Sequence, residues 1–218
     1  MKKFAFILSF VGGATDTLGF SLLYQLFTAH VTGNFVLIGS SLSQQGESDH
    51  LLWAQLSVLP IFFITITLTS MLIPTKISAR TAKHFLLIQT FFLLLFLIFG
   101  YYYGNDINNV TATLIAAPAV VAMALQNMYP KFLFTKLPFT TVMTGNVTKI
   151  AMDVGAFLKK EKPDQSNSIM SLQVFAAVGF ISGALIIALA ANNLGFVSAI
   201  IPALLVGFLA LSVKKEIL

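Results

Sequence analysis

Apolar residues run along this chain in long blocks, and polar residues collect in the short gaps between them. Six blocks, at about 4–27, 51–73, 84–103, 110–129, 169–191 and 194–213, approach the roughly 20 residues an α-helix needs to cross a bilayer. Hydrocarbon offers the backbone no hydrogen bonds, so a crossing segment is a helix or a strand of a closed barrel. Barrel strands alternate apolar and polar positions, and these blocks do not. The pattern predicts helices. Two further stretches, about 31–42 and 140–158, are mixed: the first is short, and the second carries Lys149 and Asp153. Each suits either a full span or a half-helix that dips in and returns.

Those two stretches hold related sequences. F-T-A-H-V-T-G-N-F-V-L-I begins at Phe27 and F-T-T-V-M-T-G-N-V-T-K-I at Phe139, so F-T-x-x-x-T-G-N-x-x-x-I occurs twice, 112 positions apart. The same offset aligns Phe20 with Phe132, Phe63 with Phe175 and Ser70 with Ser182. This predicts a single transmembrane domain over 1–218 made of two repeats, about 1–104 and 110–218.

Basic residues then choose between the two topologies. If both TGN stretches return to the side they left, six spans remain, and every Lys and Arg except Lys149 lies on the side of the N-terminus. If both cross, giving eight spans, the basic residues divide almost evenly between the sides. Basic residues concentrate in cytoplasmic loops, so the six-span arrangement is favoured, with both termini cytoplasmic. Each repeat then holds three spans, an odd number, which inserts the second upside down relative to the first. The expected fold is an all-α integral membrane protein with six transmembrane helices, two TGN-containing re-entrant half-helices and inverted 3+3 repeats.

Composition agrees with this. Hydrophobic residues make up 57% of the 218 and charged residues 10%, against roughly 25% charge in an ordinary globular domain. The net charge of +5 sits in short basic clusters between apolar blocks, which points to membrane loops and not to nucleic acid. Cysteine is absent, and His30, His50 and His84 are not spaced as metal ligands, so neither cofactor nor metal is expected. The start, MKKFAFILSFVGGA, has the form of a signal peptide, but the apolar pattern resumes at Leu18, which favours an interrupted first span. Trp53 and Tyr101 to Tyr103 suit interfacial anchors, and Pro60, Pro118 and Pro202 fall within spans, where kinks are expected.

Inverted repeats with broken helices near the midplane are a common plan of secondary transporters. A half-helix that starts inside the membrane offers unpaired N–H groups and the positive end of its dipole to an anion. Thr32 and Thr144 suit N-caps, Gly33 and Gly145 allow close approach, and Asn34 and Asn146 donate and accept. These six residues form the expected substrate cradle. The alternative is that TGN is a packing notch and a cap. Asp16, an ionisable group within the first span, is the expected coupling residue; its alternative is an interfacial or helix-capping role. Its counterpart in the second repeat lies near Gln126 and Asn127, which are polar but uncharged. Lys149 and Asp153 are four apart and suit a structural ion pair on one helix face, and His30 suits an interface. No nucleophile–base set, phosphate loop or paired catalytic carboxylates stand out, so an enzyme is not expected.

G-G-A-T-D in the first span, H-V-T-G-N-F-V-L-I-G, A-L-Q-N and T-T-V-M-T-G-N-V-T together resemble the YoaK-like family of small bacterial inner-membrane proteins, catalogued as a domain of unknown function. The resemblance spans essentially the whole chain. It implies a polytopic protein of the bacterial inner membrane, and it brings no substrate or catalytic residues. The expectation is a small secondary transporter or channel whose partners are the lipid bilayer and a small solute, an anion among the candidates. A homo-oligomer is left open. A non-transporting sensor or assembly component is the first alternative, and a membrane-embedded lipid-acting enzyme the second.

Overall fold

The computed structural model describes residues 1–43, 52–74, 77–160 and 167–213. The expected loop 43–50 lies almost entirely outside this set, as do Lys76, Lys162, Lys214 and Lys215. The described residues are helical, with no strand. The order is α1 (Lys2–Leu22), α2 (Gly33–Ser43), α3 (Leu52–Leu72), α4 (Ala79–Tyr103), α5 (Asn109–Phe132), α6 (Met143–Leu158), α7 (Asn167–Leu194), a 3₁₀ segment (Gly195–Ala199) and α8 (Ile200–Ser212). Five helical runs are long and apolar enough to cross a membrane, the last covering Ile169–Ser212. The protein is therefore a multi-pass membrane protein. That last run is not one rod: Gly195, at φ +52°, breaks it, and the chain folds back. Positive φ is the conformation glycine adopts at least cost.

Local chemistry sets several helix ends. Asn108 accepts from the N–H groups of Val110 and Thr111, and Thr111 returns a bond to the Asn108 N–H, a reciprocal cap that starts α5. The Ser78 side chain caps α4 through the Thr81 N–H. Pro60 and Pro118 lie inside α3 and α5, and Pro202 falls in the first turn of α8, where a missing N–H costs least.

Helix directions follow from contacts at the two ends of the bundle. At one end Lys2 lies over the Phe175 ring and Lys3 over the Phe208 ring, which joins the start of α1 to the start of α7 and the end of α8. A cavity at this end is bordered by Arg80 at the start of α4 and Leu133 at the end of α5. At the other end Asn109 Oδ1 accepts from the Trp53 and Ala54 N–H groups, joining the starts of α3 and α5, and Phe196 packs on Gly100 and Gly104 at the end of α4. So α1, α4 and α7 run one way, and α3, α5 and α8 the other. The chain between α1 and α3 thus leaves and re-joins the bundle at the same end, and so does the chain between α5 and α7, at the opposite end. Lys2, Lys3, Arg80, Lys83, Lys131 and Lys136 all belong to the end that holds the N-terminus. Trp53 and Tyr101 to Tyr103 are exposed at the other.

The packing keeps its form when the two repeats are exchanged. α1 lies along α7 and α5 along α3; α4 packs on α5 and α8 on α1; α2 packs on α3 and α6 on α7; α4 meets α8, and α1 meets α5. Shifting by the 112 positions of the motif turns each pairing into another of the set or into itself.

The α1–α7 contact is the most extensive. A Cβ at Gly13 would fall on the Phe180 carbonyl, one at Gly179 on the Phe6 carbonyl and one at Gly183 on the Phe10 carbonyl. Backbone therefore meets backbone, the arrangement small residues allow between membrane helices.

Candidate functional site

After α1 the chain reverses through Tyr24 and Gln25, both at positive φ (49° and 66°), and runs back along the helix it has just left. Gly19 makes room: a Cβ there would stand 2.7 Å from the Leu26 carbonyl oxygen. This returning connector is held by Asp16. Its Oδ1 accepts from the Thr28 and Ala29 N–H groups, each at 2.8 Å, and its Oδ2 lies 2.6 Å from His30 Nδ1. These bonds give a buried carboxylate its partners, without which burial would be costly. Asp16 is 5% exposed, whereas about a third of the His30 side chain is open. Asp16 and His30 border a cavity of about 490 Å³ with Thr32, Gly33 and three aromatic rings, Phe20, Phe27 and Phe180.

The second connector repeats this plan without charge. Thr140 and Thr141 stand beside Gln126 and Asn127, as Thr28 and His30 stand beside Asp16. Gln126 Nε2 donates to the Leu8 carbonyl at 2.7 Å and to Thr140 Oγ1 at 3.0 Å, and Thr141 donates to Asn127 Oδ1. Gln126 Oε1 accepts from Gln89, whose own oxygen accepts from the Tyr129 hydroxyl. All of Gln89, Gln126 and Tyr129 are buried, and a network satisfied in this way fixes α4, α5 and the connector together. Gly12 admits the connector: a Cβ there would lie 2.8 Å from the Thr140 carbonyl oxygen. The connectors thus reach α1 from opposite ends of the bundle, one at Asp16 and the other at Gly12, a single turn away.

The asparagine of each TGN has the same local duty. Asn34 donates to the Phe27 carbonyl and accepts from the Phe27 N–H, both at 2.9 Å, and Asn146 donates to the Phe139 carbonyl at 2.7 Å. This explains why Phe and Asn recur seven positions apart: each Asn closes the loop that leads into its own short helix. Both amides are engaged in the fold.

Between the connectors lies a cavity of about 500 Å³. Its walls include His30 and Thr32 from the first, Phe139 and Val142 from the second, Phe62 and Ile66 from α3, and Lys131 from α5. Thr32 is the residue before α2 and Val142 the residue before α6. The two short helices therefore begin at one cavity.

The six cradle residues are not equivalent there. Thr32 and Gly33 border the Asp16 cavity, Asn34 is buried in its loop, and Asn146 borders a different cavity nearer the N-terminus. Thr144 and Gly145 are exposed, and a Cβ at Gly145 meets nothing within 4 Å. Thr144 is not an N-cap. α6 starts one residue earlier, at Met143, and its N-cap Val142 has no side chain able to cap. The N–H groups of Met143, Thr144 and Gly145 have no acceptor among the described residues. In α2, by contrast, the Gly33, Asn34 and Phe35 N–H groups bond to the carbonyls three residues back. Of the two TGN helices, α6 is thus the one whose first N–H groups lack acceptors among the described residues.

The expected Lys149–Asp153 pair is not formed. Among the described residues the one ion pair joins His30 to Asp16. The i, i+4 spacing gives the two side chains a shared helix face, but Asp153 is buried, with an unpartnered Oδ2, while Lys149 is exposed at the rim of a cavity. His30, expected at an interface, is instead the partner of Asp16. The contact spans fourteen positions, so helical periodicity holds no trace of it.

No match was found among curated proteins or among solved structures. A family described as "Protein of unknown function (DUF1275)" matches residues 4–212. The paired TGN loops, the helix pattern and this match over nearly the whole chain agree, and the chain belongs to the DUF1275 family.

Proposed function

We propose that the protein is a small secondary transporter or channel for a small anionic solute, with six membrane-crossing helices and two re-entrant half-helices arranged as inverted 3+3 repeats. The observation that carries the reading is the cavity between the connectors, where both short helices begin. α2 has 11 residues and α6 has 16, about 17 and 24 Å long, short of the roughly 30 Å hydrocarbon core. The 3₁₀ segment and α8 together reach about 30 Å, enough for a sixth span. Return of each TGN segment to its own end of the bundle, with helix directions opposed between the halves, favours inversion. Concentration of basic residues at the N-terminal end favours cytoplasmic termini in a bacterial inner membrane.

Asp16 is the coupling group in this reading. It is the carboxylate at the connectors, it borders a cavity, and through His30 it reaches the wall of the central one. Protonation would remove the charge that holds Thr28 and Ala29, which ties occupancy by a proton to the position of the first connector. α6, with its uncapped N–H groups, supplies a dipole for an anion. The role is not enzymatic.

The test is uptake of radiolabelled phosphate, acetate and lactate into proteoliposomes under an inward proton gradient. Wild type should take up at least one of them. Ile66→Trp, which fills the central cavity from α3, should stop uptake while the protein remains folded in detergent. Equal flux in the filled variant, or no flux of any of the three anions above empty liposomes, rejects the reading.

A further inference from the structure

A second, larger cavity opens at the end of the bundle that holds the N-terminus. It measures about 780 Å³, within the range that takes an organic molecule and larger than an inorganic ion needs. Four lysines border it: Lys2 from α1, Lys131 from α5, Lys136 from the second connector and Lys149 from α6. All four are exposed, and none has a carboxylate within 4.0 Å among the described residues. They come from four different segments, so no local helix pattern brings them together; the fold does. The rest of the wall is largely apolar, with Leu137, Phe139 and Leu172 among its residues.

Cations around an apolar chamber suit one class of ligand, an anionic head on an apolar body. We infer that this cavity is a binding site for an amphiphilic organic anion, with Lys131, Lys136 and Lys149 receiving its phosphate or carboxylate and the apolar wall receiving its hydrocarbon. Its place relative to the central cavity gives the site a use: Lys131 and Phe139 border both. A ligand held here stands at the entrance of the proposed pathway. The inference goes beyond the transporter reading by assigning a ligand to a second cavity; binding needs no transport and is measured separately. The anion has two sources, a soluble amphiphile or an anionic phospholipid of the surrounding bilayer, and the head chemistry is common to both.

The experiment uses full-length protein purified in a neutral detergent. Hexyl phosphate, inorganic phosphate and hexanol are titrated by calorimetry, and native mass spectrometry records any retained phosphatidylglycerol. Hexyl phosphate should bind more tightly than either fragment and weaken with added salt. Lys131→Gln and Lys149→Gln should each weaken it about tenfold, the loss of one charged contact, and Lys131→Arg should restore most of it. Retained phosphatidylglycerol that is lost in the double glutamine variant, and that hexyl phosphate displaces, assigns the site to lipid. Hexyl phosphate binding without retained lipid assigns it to a soluble anion. The inference is overturned if hexanol binds as well as hexyl phosphate, or if the double variant, still folded, binds hexyl phosphate and lipid as wild type does. Binding without flux leaves this site standing and removes the transporter; flux without binding does the reverse.

Discussion

Asp16 and His30, fourteen positions apart, meet at 2.6 Å through Oδ2 and Nδ1, while the other oxygen of the same carboxylate holds the backbone of Thr28 and Ala29. One side chain thus serves two purposes that substitution can separate. Asn keeps an oxygen for the two N–H groups but removes the titrating charge and the acceptor for His30. Asp16→Asn should therefore lose some stability, less than Asp16→Ala, and lose the dependence of uptake on the proton gradient. Asp16→Ala leaves both N–H groups unpaired and should lose about 2–3 kcal/mol of stability. Thermal unfolding in detergent, run beside the flux assay, checks both. Unchanged gradient dependence in Asp16→Asn ends the coupling role.

Asn34 makes two bonds to Phe27, and Asn146 one to Phe139. Asn34→Leu should cost about 1–3 kcal/mol, because it strands the partly buried N–H and carbonyl of Phe27. Asn146→Leu should cost less. Denaturation midpoints decide: if the Asn34 variant is as stable as wild type, the loop is not held by this side chain.

The glycines divide into two groups. Gly13, Gly179 and Gly183 face backbone, and Ala at any of them must push α1 and α7 apart, at a cost of about 1–3 kcal/mol or more. Gly145 faces open space, and Ala there should raise stability by up to about 1 kcal/mol through helix propensity. Melting temperatures of the four single variants should fall for three and not for the fourth.

With no native cysteine, single cysteines report sidedness without background. Trp53→Cys marks the end of the bundle where α3 starts, and Lys160→Cys the end where α6 finishes. A membrane-impermeant maleimide applied to intact cells should label the first and spare the second. Labelling of both, or of Lys160→Cys alone, contradicts the proposed orientation of the two halves.

Much of this architecture is legible in the sequence because it is local. Helix spans follow from unbroken apolar blocks, and the side on which the basic residues gather follows from their spacing. The F-T-x-x-x-T-G-N repeat marks both loops, and the seven-residue interval from Phe to Asn is the bond itself. What escapes is set by tertiary approach. The i, i+4 spacing of Lys149 and Asp153 is compatible with a pair, but α6 turns its aspartate inward and its lysine to the cavity rim. His30 gains its partner only when the connector doubles back through Tyr24 and Gln25, two residue types that give no warning of positive φ. Gly179 and Gly183 carry the small-residue spacing of a helix contact, a pattern that announces a close neighbour without saying which helix it is. The four lysines around the terminal cavity come from four segments, so their meeting cannot be read from any one of them.

The backbone contact at Gly13, Gly179 and Gly183 has one more consequence. Where side chains interleave, rotamer changes let two helices slip past each other; where carbonyl meets glycine, nothing is left to yield. α1 and α7, one from each repeat, are in effect riveted into a single beam. Asp16 is fixed to that beam, so in the proposed coupling role a change of its charge would shift the loop it holds and leave the helix still. In the proposed transporter the moving parts are then the connectors and the short helices that follow them, working against a stationary mast.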